Sequence, residues 1–173
     1  MGDVTDLSAP SGLTPPAALT AAHDLTRFRC GKEPLDDWLR LHALNNEGRS
    51  SRTYVVCAGR EVVGYCCLST GAEKRQSAPS KIRRNVPDPV PVIVLGRLAV
   101  HADHHGKRIG DGLLKDALVR AAQVSKIVGS RAILVHAIDQ DAMAFYIRYG
   151  FVEFPQGSRS LFLPTETIVQ VLT

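Results

Sequence analysis

The spacing of apolar and polar residues divides this chain into recognisable elements. Ala17 to Phe28 predicts a short first strand or turn. From Phe28 to Asn46, apolar residues stand at Leu35, Trp38, Leu39, Leu41, Ala43 and Leu44. That is helical spacing, with Pro34 suited to the first turn and Asn45, Asn46 and Gly48 to the end. Ser51–Ala58 and Val62–Ser69 are apolar runs on either side of Gly59-Arg60-Glu61, and they predict a hairpin. Val92, Ile93, Val94 and Leu95 read as a strand buried on both faces. After Val100 the polarity switches, and His101–Arg108 forms a basic turn containing glycine. Apolar residues then fall at 109, 113, 114, 117, 118, 121, 124 and 128, one face of a helix that Gly129 would stop. Arg131–Ala137 is a further buried strand. Asp139 can cap a helix over Gln140–Tyr149, ended by Gly150. Phe151–Phe154 and Arg159–Leu163 predict a closing pair of strands, and a short helix follows from Pro164. The sum is an α/β (α+β) sandwich, a hairpin half followed by β-α-β-α, in one domain over 17–173 behind a flexible lead-in over 1–16.

Composition narrows the function classes. The chain has 173 residues, 45% of them hydrophobic, enough for a full core. No apolar run approaches the ~20 residues of a membrane span. The N-terminus is rich in small residues and lacks a basic stretch, so a signal peptide is not expected; the reading is a cytoplasmic protein with no membrane partner. Cys30, Cys57, Cys66 and Cys67 lack metal-ligand spacing and read as small buried hydrophobes. The net charge of +4 and pI near 9.0 hint at a polyanionic partner. Gly71–Pro91 concentrates that charge: Lys74, Arg75, Lys81, Arg83 and Arg84 stand against Glu73 and Asp88 in a proline-rich loop. Bases in such a loop read as phosphate-backbone contacts or as a solvated linker.

A strand feeding a glycine turn that opens a long helix aims backbone N–H groups and the positive helix end at one point, a setting for phosphate. Nucleotide-binding folds share it. Here the turn reads His105-Gly106-Lys107-Arg108-Ile109-Gly110. It resembles the Gln/Arg-x-x-Gly-x-Gly/Ala pattern of the GNAT N-acetyltransferases, with His105 at the first position and Arg108 at the middle glycine. The resemblance implies the GNAT fold, a mixed central sheet with a splayed strand pair flanked by helices, and acetyl-CoA as co-substrate without a metal. It implies that Leu98, Ala99 and Val100 hold the pantetheine arm, chiefly through backbone groups of Leu98 and Val100. His105, Gly106, Lys107, Arg108, Ile109, Gly110 and Gly112 would hold the pyrophosphate. Tyr146, in Ala144–Phe151, matches the tyrosine that protonates the departing CoA thiolate; Tyr149 is a rival by residue type. The chemistry suits a phenol, since the leaving thiol has a pKa of roughly 8.5.

The central strand offers no carboxylate base: its sequence is Gly96-Arg97-Leu98-Ala99. A lysine amine (pKa about 10.4) needs such a base, whereas an α-amino group near 7.7–8.0 is largely ready. Small α-amines, especially aminoacyl esters, therefore fit better than histone-like lysines, with Arg97 offering charge near the acceptor.

Several segments together resemble a narrower group, the TacT-like GNAT toxins of bacterial toxin–antitoxin pairs. They are Phe28-x-Cys30-Gly31 with Leu35-Asp36-Asp37-Trp38-Leu39 and Ala43; Thr53-Tyr54-Val55 with Gly64-Tyr65; Arg83-Arg84-Asn85-x-Pro87-Asp88-Pro89-x-Pro91; Leu95–Val100; and Val135-His136-Ala137 with Phe145-Tyr146 and Gly150-Phe151. The resemblance implies acetylation of the α-amino group of aminoacyl-tRNA, which blocks translation. It also implies a homodimer, a ribbon-helix-helix antitoxin, and operator DNA reached only through that antitoxin. Lys74, Arg75, Lys81, Arg83, Arg84 and Arg97 then become tRNA-contact candidates. A metabolic or resistance GNAT acting on a small amine, and a non-catalytic acyl-CoA-binding module, are the alternatives.

Overall fold

The computed structural model describes residues 12–168 and 170. In chain order the elements are β1 (Ala17–Ala18), α1 (Glu33–Leu41), α2 (Ala43–Asn46), β2 (Arg52–Ala58), β3 (Glu61–Glu73), α3 (Ser80–Arg83) and β4 (Val90–Val100). Then come α4 (Ile109–Ile127), β5 (Ala132–His136), α5 (Gln140–Arg148), β6 (Val152–Glu153) and β7 (Ser160–Pro164). Short 3-10 turns occupy Arg75–Ser77, Ala102–His104 and Thr165–Thr167. The strands form one mixed sheet in the order β1-β2-β3-β4-β5-β7-β6. β4 and β5 run parallel, while β1/β2, β2/β3, β5/β7 and β6/β7 are antiparallel. The chain divides into two compact units: residues up to Leu68 with Arg97–Ala117, and Ser69–Gly96 with the chain from Leu118 onward.

In the first unit, Phe28, Leu39, Ala43, Val55, Val62 and Tyr65 form a buried cluster, with Leu35 and Trp38 packed against it. The expected single helix over residues 28–46 is two helices that break at His42 (φ −124°). The break turns Ala43 into the core and leaves Leu41 and Leu44 exposed, so the apolar positions do not share one buried face. Part of the expected lead-in, residues 1–11, lies outside the described residues. From Leu13 onward it is tied to β2: Leu13 bridges Ala58, and Thr14 exchanges two 2.9 Å hydrogen bonds with the Cys57 backbone.

In the second unit, Ala78, Ile82, Val90, Val92, Ala132, Leu134 and Phe162 make the core. β3 runs past the expected Ser69 to Glu73. Gly71 permits this, because a Cβ there would meet Val94 Cγ2 at 2.7 Å. The expected irregular stretch over 71–91 is thus shortened at its start and holds a 3-10 turn and helix α3. The expected C-terminal helix begins as the 3-10 turn Thr165–Thr167 followed by buried Ile168; residues 169 and 171–173 lie outside the described residues. All four cysteines are buried thiols, outside any disulfide. Among the described residues, no helix is long and apolar enough to cross a membrane.

Candidate active site

The turn ahead of α4 is built by backbone conformation. Gly106 (φ 81°) and Arg108 (φ 60°) both occupy the left-handed region, and the first intrahelical bond of that end runs from the Gly112 N–H to the Arg108 carbonyl at 3.1 Å. The left-handed conformation at 108 gives a reason for glycine at this position in the pattern, since a Cβ there costs about 1–2 kcal/mol. First-turn N–H groups of a helix have no acceptor within it. Gly106 and Gly112 face open space, and the Lys107 and Arg108 side chains are exposed. A diphosphate placed there would meet backbone donors, the positive helix end and two cations.

Three histidines hold this turn in place. His101 Nδ1 accepts from the Asp103 N–H at 3.1 Å, which leaves Nε2–H to donate to the Arg27 carbonyl at 3.0 Å. His105 Nε2 donates to the Val100 carbonyl at 2.8 Å, so its side chain anchors the turn to the end of β4. Lys107 Nζ donates to His104 Nδ1 at 3.1 Å. Partial burial, then the nearby Lys107 charge, push the His104 pKa below its usual value and favour the neutral acceptor. Gly64 seats the helix start: a Cβ on it would stand 2.8 Å from Ile109 Cγ2 and 3.1 Å from Leu113 Cδ1.

β4 pairs with β5 at Val92↔Ala132, Ile93↔Ile133 and Val94↔Leu134, and β4 itself continues to Val100. On the continuation, Leu98 and Val100 are half-buried and Ala99 is buried between them. Tyr146 lies on α5, whose start Asp139 caps by accepting from the Ala142 N–H at 2.9 Å. Its ring is 5% exposed and meets Phe145 and Phe151 at centroid distances of 5.2 and 5.5 Å. Tyr149 is half-buried and packs on Phe145 at 5.5 Å. The two candidate tyrosines thus differ in environment: Tyr146 is the one held within an aromatic wall.

The basic loop is anchored from below. Ala78, Ile82 and Val90 are buried, and Arg131 donates to the carbonyls of Ile82 and Lys81, each at 3.3 Å. Arg75 differs from the other expected contacts. Its guanidinium donates to the Val86 carbonyl at 3.3 Å and its N–H to Asp88 at 3.1 Å, so it braces the loop. Lys74, Lys81, Arg83 and Arg84 are exposed, and among the described residues their cationic groups have no partner. Arg97 is elsewhere in its bonding, stacked over the Trp38 ring with Cζ 4.3 Å from the centroid. The partnership between Trp38 and Arg97 was not legible in the sequence, because residues so far apart give no local signal.

A glycine turn at the mouth of a long helix, after a strand that outruns its parallel neighbour, suits an acyl-CoA-dependent acyltransferase, and the comparisons with known proteins identify the class. Residues 49–153 match the acetyltransferase (GNAT) domain family, and the chain belongs to that family. It is 43% identical over 154 residues to the tRNA-acetylating toxin of Mycobacterium tuberculosis, covering 88% of this chain and 93% of the relative. A tyrosine-to-phenylalanine mutant of KacT superposes with a TM-score of 0.86 at 30% identity, covering 93% of this chain and 99% of that one. AtaT complexed with acetyl-methionyl-tRNAfMet superposes with a TM-score of 0.83 at 31% identity and the same coverage of both chains. Related solved structures include AtaTR bound with acetyl-CoA, an AtaT mutant bound to the C-terminus of the antitoxin AtaR and acetyl-CoA, and the AtaT–AtaR complex bound to DNA.

Proposed function

We infer that this chain is the toxin of a toxin–antitoxin pair, an enzyme that moves the acetyl group of acetyl-CoA onto the α-amino group of aminoacyl-tRNA and so blocks translation. The observation that carries the substrate is the 43% identity to a tRNA-acetylating toxin along 88% of this chain. The left-handed turn at Gly106 and Arg108 supports the CoA end. Bound acetyl-CoA supplies an activated acyl group as a thioester. The α4 turn, with Lys107 and Arg108, grips its pyrophosphate, and backbone groups of Leu98 and Val100 orient its pantetheine arm. Tyr146 donates the phenolic proton to the departing thiolate; its ring packs against the aromatic wall of Phe145 and Phe151. No carboxylate on β4 is needed, because an α-amino group, whose pKa of about 7.7–8.0 is lowered further by esterification of the adjacent carboxyl, has a sizeable neutral fraction at neutral pH. Lys74, Lys81, Arg83 and Arg84 contact tRNA phosphates. The active species is a homodimer, silenced by a ribbon-helix-helix antitoxin through which it reaches operator DNA.

Charged total tRNA incubated with the protein and labelled acetyl-CoA tests this directly. Label should appear on the α-amino group of the esterified amino acid; label only on free small amines would replace this reading with the metabolic one. Tyr146→Phe should leave acetyl-CoA affinity intact and lower kcat by about 100-fold or more. An unchanged kcat would shift the role to Tyr149 or to water.

A further inference from the structure

We propose that Trp38 is a positioning residue for the tRNA end of the reaction: it holds the Arg97 guanidinium flat on its indole so that Arg97 can bind a phosphate of the acceptor strand. The proposal rests on the aminoacyl-tRNA reading above. Its basis is a three-layer stack in the first unit. Tyr65, fully buried on β3, donates its hydroxyl to the Leu35 carbonyl at 2.7 Å, which fixes the bottom layer. Trp38 on α1 lies over it, ring centroids 6.0 Å apart and planes within 10°. Arg97 on β4 closes the column, Cζ 4.3 Å above the Trp38 centroid. Phe28 braces the base edge-on against Tyr65 at 5.4 Å.

The column orients Arg97 and leaves its donors available. A guanidinium has five N–H donors, and among the described residues Arg97 makes no hydrogen bond or ion pair. Arg27, Arg40 and Arg52 of the same unit are by contrast tied down: Arg27 to Glu61, Arg40 to Asp37 and the Phe28 carbonyl, Arg52 to Glu47. Stacking covers one face of the guanidinium and leaves its N–H edge in plane, the geometry that meets phosphate oxygens in pairs. It also removes the rotamer freedom that an arginine would otherwise lose on binding. A half-buried cation with a rigid mount and uncommitted donors is a receptor for an anion. Its place on the strand directly before Leu98 puts it beside the segment assigned to the acyl donor. The phosphate could belong to tRNA or to CoA; the column is assigned to tRNA, because the α4 turn already supplies a backbone-built site for the pyrophosphate.

Trp38 is the only tryptophan of the chain, so its emission reports on the column directly. Adding a short aminoacylated acceptor-stem RNA, corrected for absorbance, should change Trp38 emission, and Arg97→Gln should abolish that change. In steady-state assays, Arg97→Gln should raise KM for aminoacyl-tRNA roughly 10- to 100-fold, the loss expected for charged hydrogen bonds, with KM for acetyl-CoA within about twofold. Trp38→Leu should show the same split, and Trp38→Phe should restore most of it. The double variant Trp38→Leu with Arg97→Gln should be no worse than Arg97→Gln alone, since both act on one contact. Thermal melts of each variant separate this from a folding defect: Trp38→Leu at a temperature where it is fully folded must still show the KM split. Additive KM effects in the double variant overturn the proposal, as does a rise confined to acetyl-CoA KM. The wild-type tRNA assay is the control for the parent reading: if wild type labels no aminoacyl-tRNA, that reading fails. If wild type labels it and the variants match wild type, only the column's role fails.

Discussion

Two basic regions of this molecule present cations by opposite means. The turn from His105 to Gly112 is made by the backbone: two left-handed residues, a helix start, and three histidines that bond carbonyls, an amide and Lys107. The loop from Lys74 to Arg84 is made by side chains. Its backbone is pinned through Ala78, Ile82, Arg75 and Arg131, but its outer cations are exposed and uncommitted. Rigid backbone donors select one anion shape, whereas long exposed side chains follow a charged surface and tolerate variation in it. The first suits a single diphosphate and the second a polyphosphate backbone. Ionic strength should separate them, because counterion release dominates the second kind of binding and fixed local hydrogen bonds the first.

The sharpest way to break this contrast is charge reversal in the loop. Arg83→Glu with Arg84→Glu should raise KM for aminoacyl-tRNA on the order of 100-fold and leave acetyl-CoA KM within about twofold. The milder Arg83→Gln with Arg84→Gln should lower the salt slope of tRNA binding by about 2, one for each lost phosphate contact. Filter binding across a salt series measures the slope. If the slope is unchanged, the loop is a solvated linker and the contrast collapses to one site.

A substitution in the opposite region gives a smaller, differently shaped effect. Gly64→Ala introduces a Cβ 2.8 Å from Ile109 Cγ2, a β-branched methyl at the first position of α4 that cannot swing away freely. Relief requires the helix start to shift by a few tenths of an ångström. Overpacking of this kind costs about 1–3 kcal/mol. Because the shift falls on the amides of the turn, acetyl-CoA KM should rise along with the loss in Tm, while the salt slope for tRNA stays the same. Loss of Tm with an unchanged acetyl-CoA KM would show that the turn does not depend on how α4 is seated.

How much of this could be read from the chain depends on the range of the physics involved. The α4 and α5 helices and the β2/β3 hairpin follow from periodicity and caps, which act within a few residues: Asp139 and Gly150 bracket α5 as expected. The length of β3 did not follow, because it rests on a missing Cβ at Gly71 opposite Val94, a contact set by pairing between strands. The break at His42 was hidden for a related reason: Leu41 and Leu44 are apolar yet exposed, so periodicity extended the helix too far. At the candidate site the glycine turn was legible as a motif. The bracing role of Arg75 and the Trp38–Arg97 stack were not, since each needs a partner distant in the chain or in another element.

The finest test of the backbone-built site lies at Arg108, where the family pattern places glycine. Its φ of 60° means that the side chain is carried in a conformation costing an L-residue about 1–2 kcal/mol. Glycine would remove that strain, but it would also widen the unfolded ensemble by about 0.4–1 kcal/mol. The net for Arg108→Gly is therefore a stabilisation of up to about 1.6 kcal/mol, visible as a small rise in Tm. Binding should move the other way. Loss of an exposed guanidinium beside a diphosphate should weaken acetyl-CoA by about three- to tenfold, the range of an ordinary hydrogen bond, because solvent screens a charge this exposed. Arg108→Ala isolates the two effects, since it removes the charge and keeps the left-handed strain: it should match Arg108→Gly in acetyl-CoA Kd and fall below it in Tm. If both variants bind acetyl-CoA as wild type does, the backbone amides and helix end account for the grip without Arg108. If Arg108→Ala alone binds weakly, the conformation at 108, rather than its charge, governs the site.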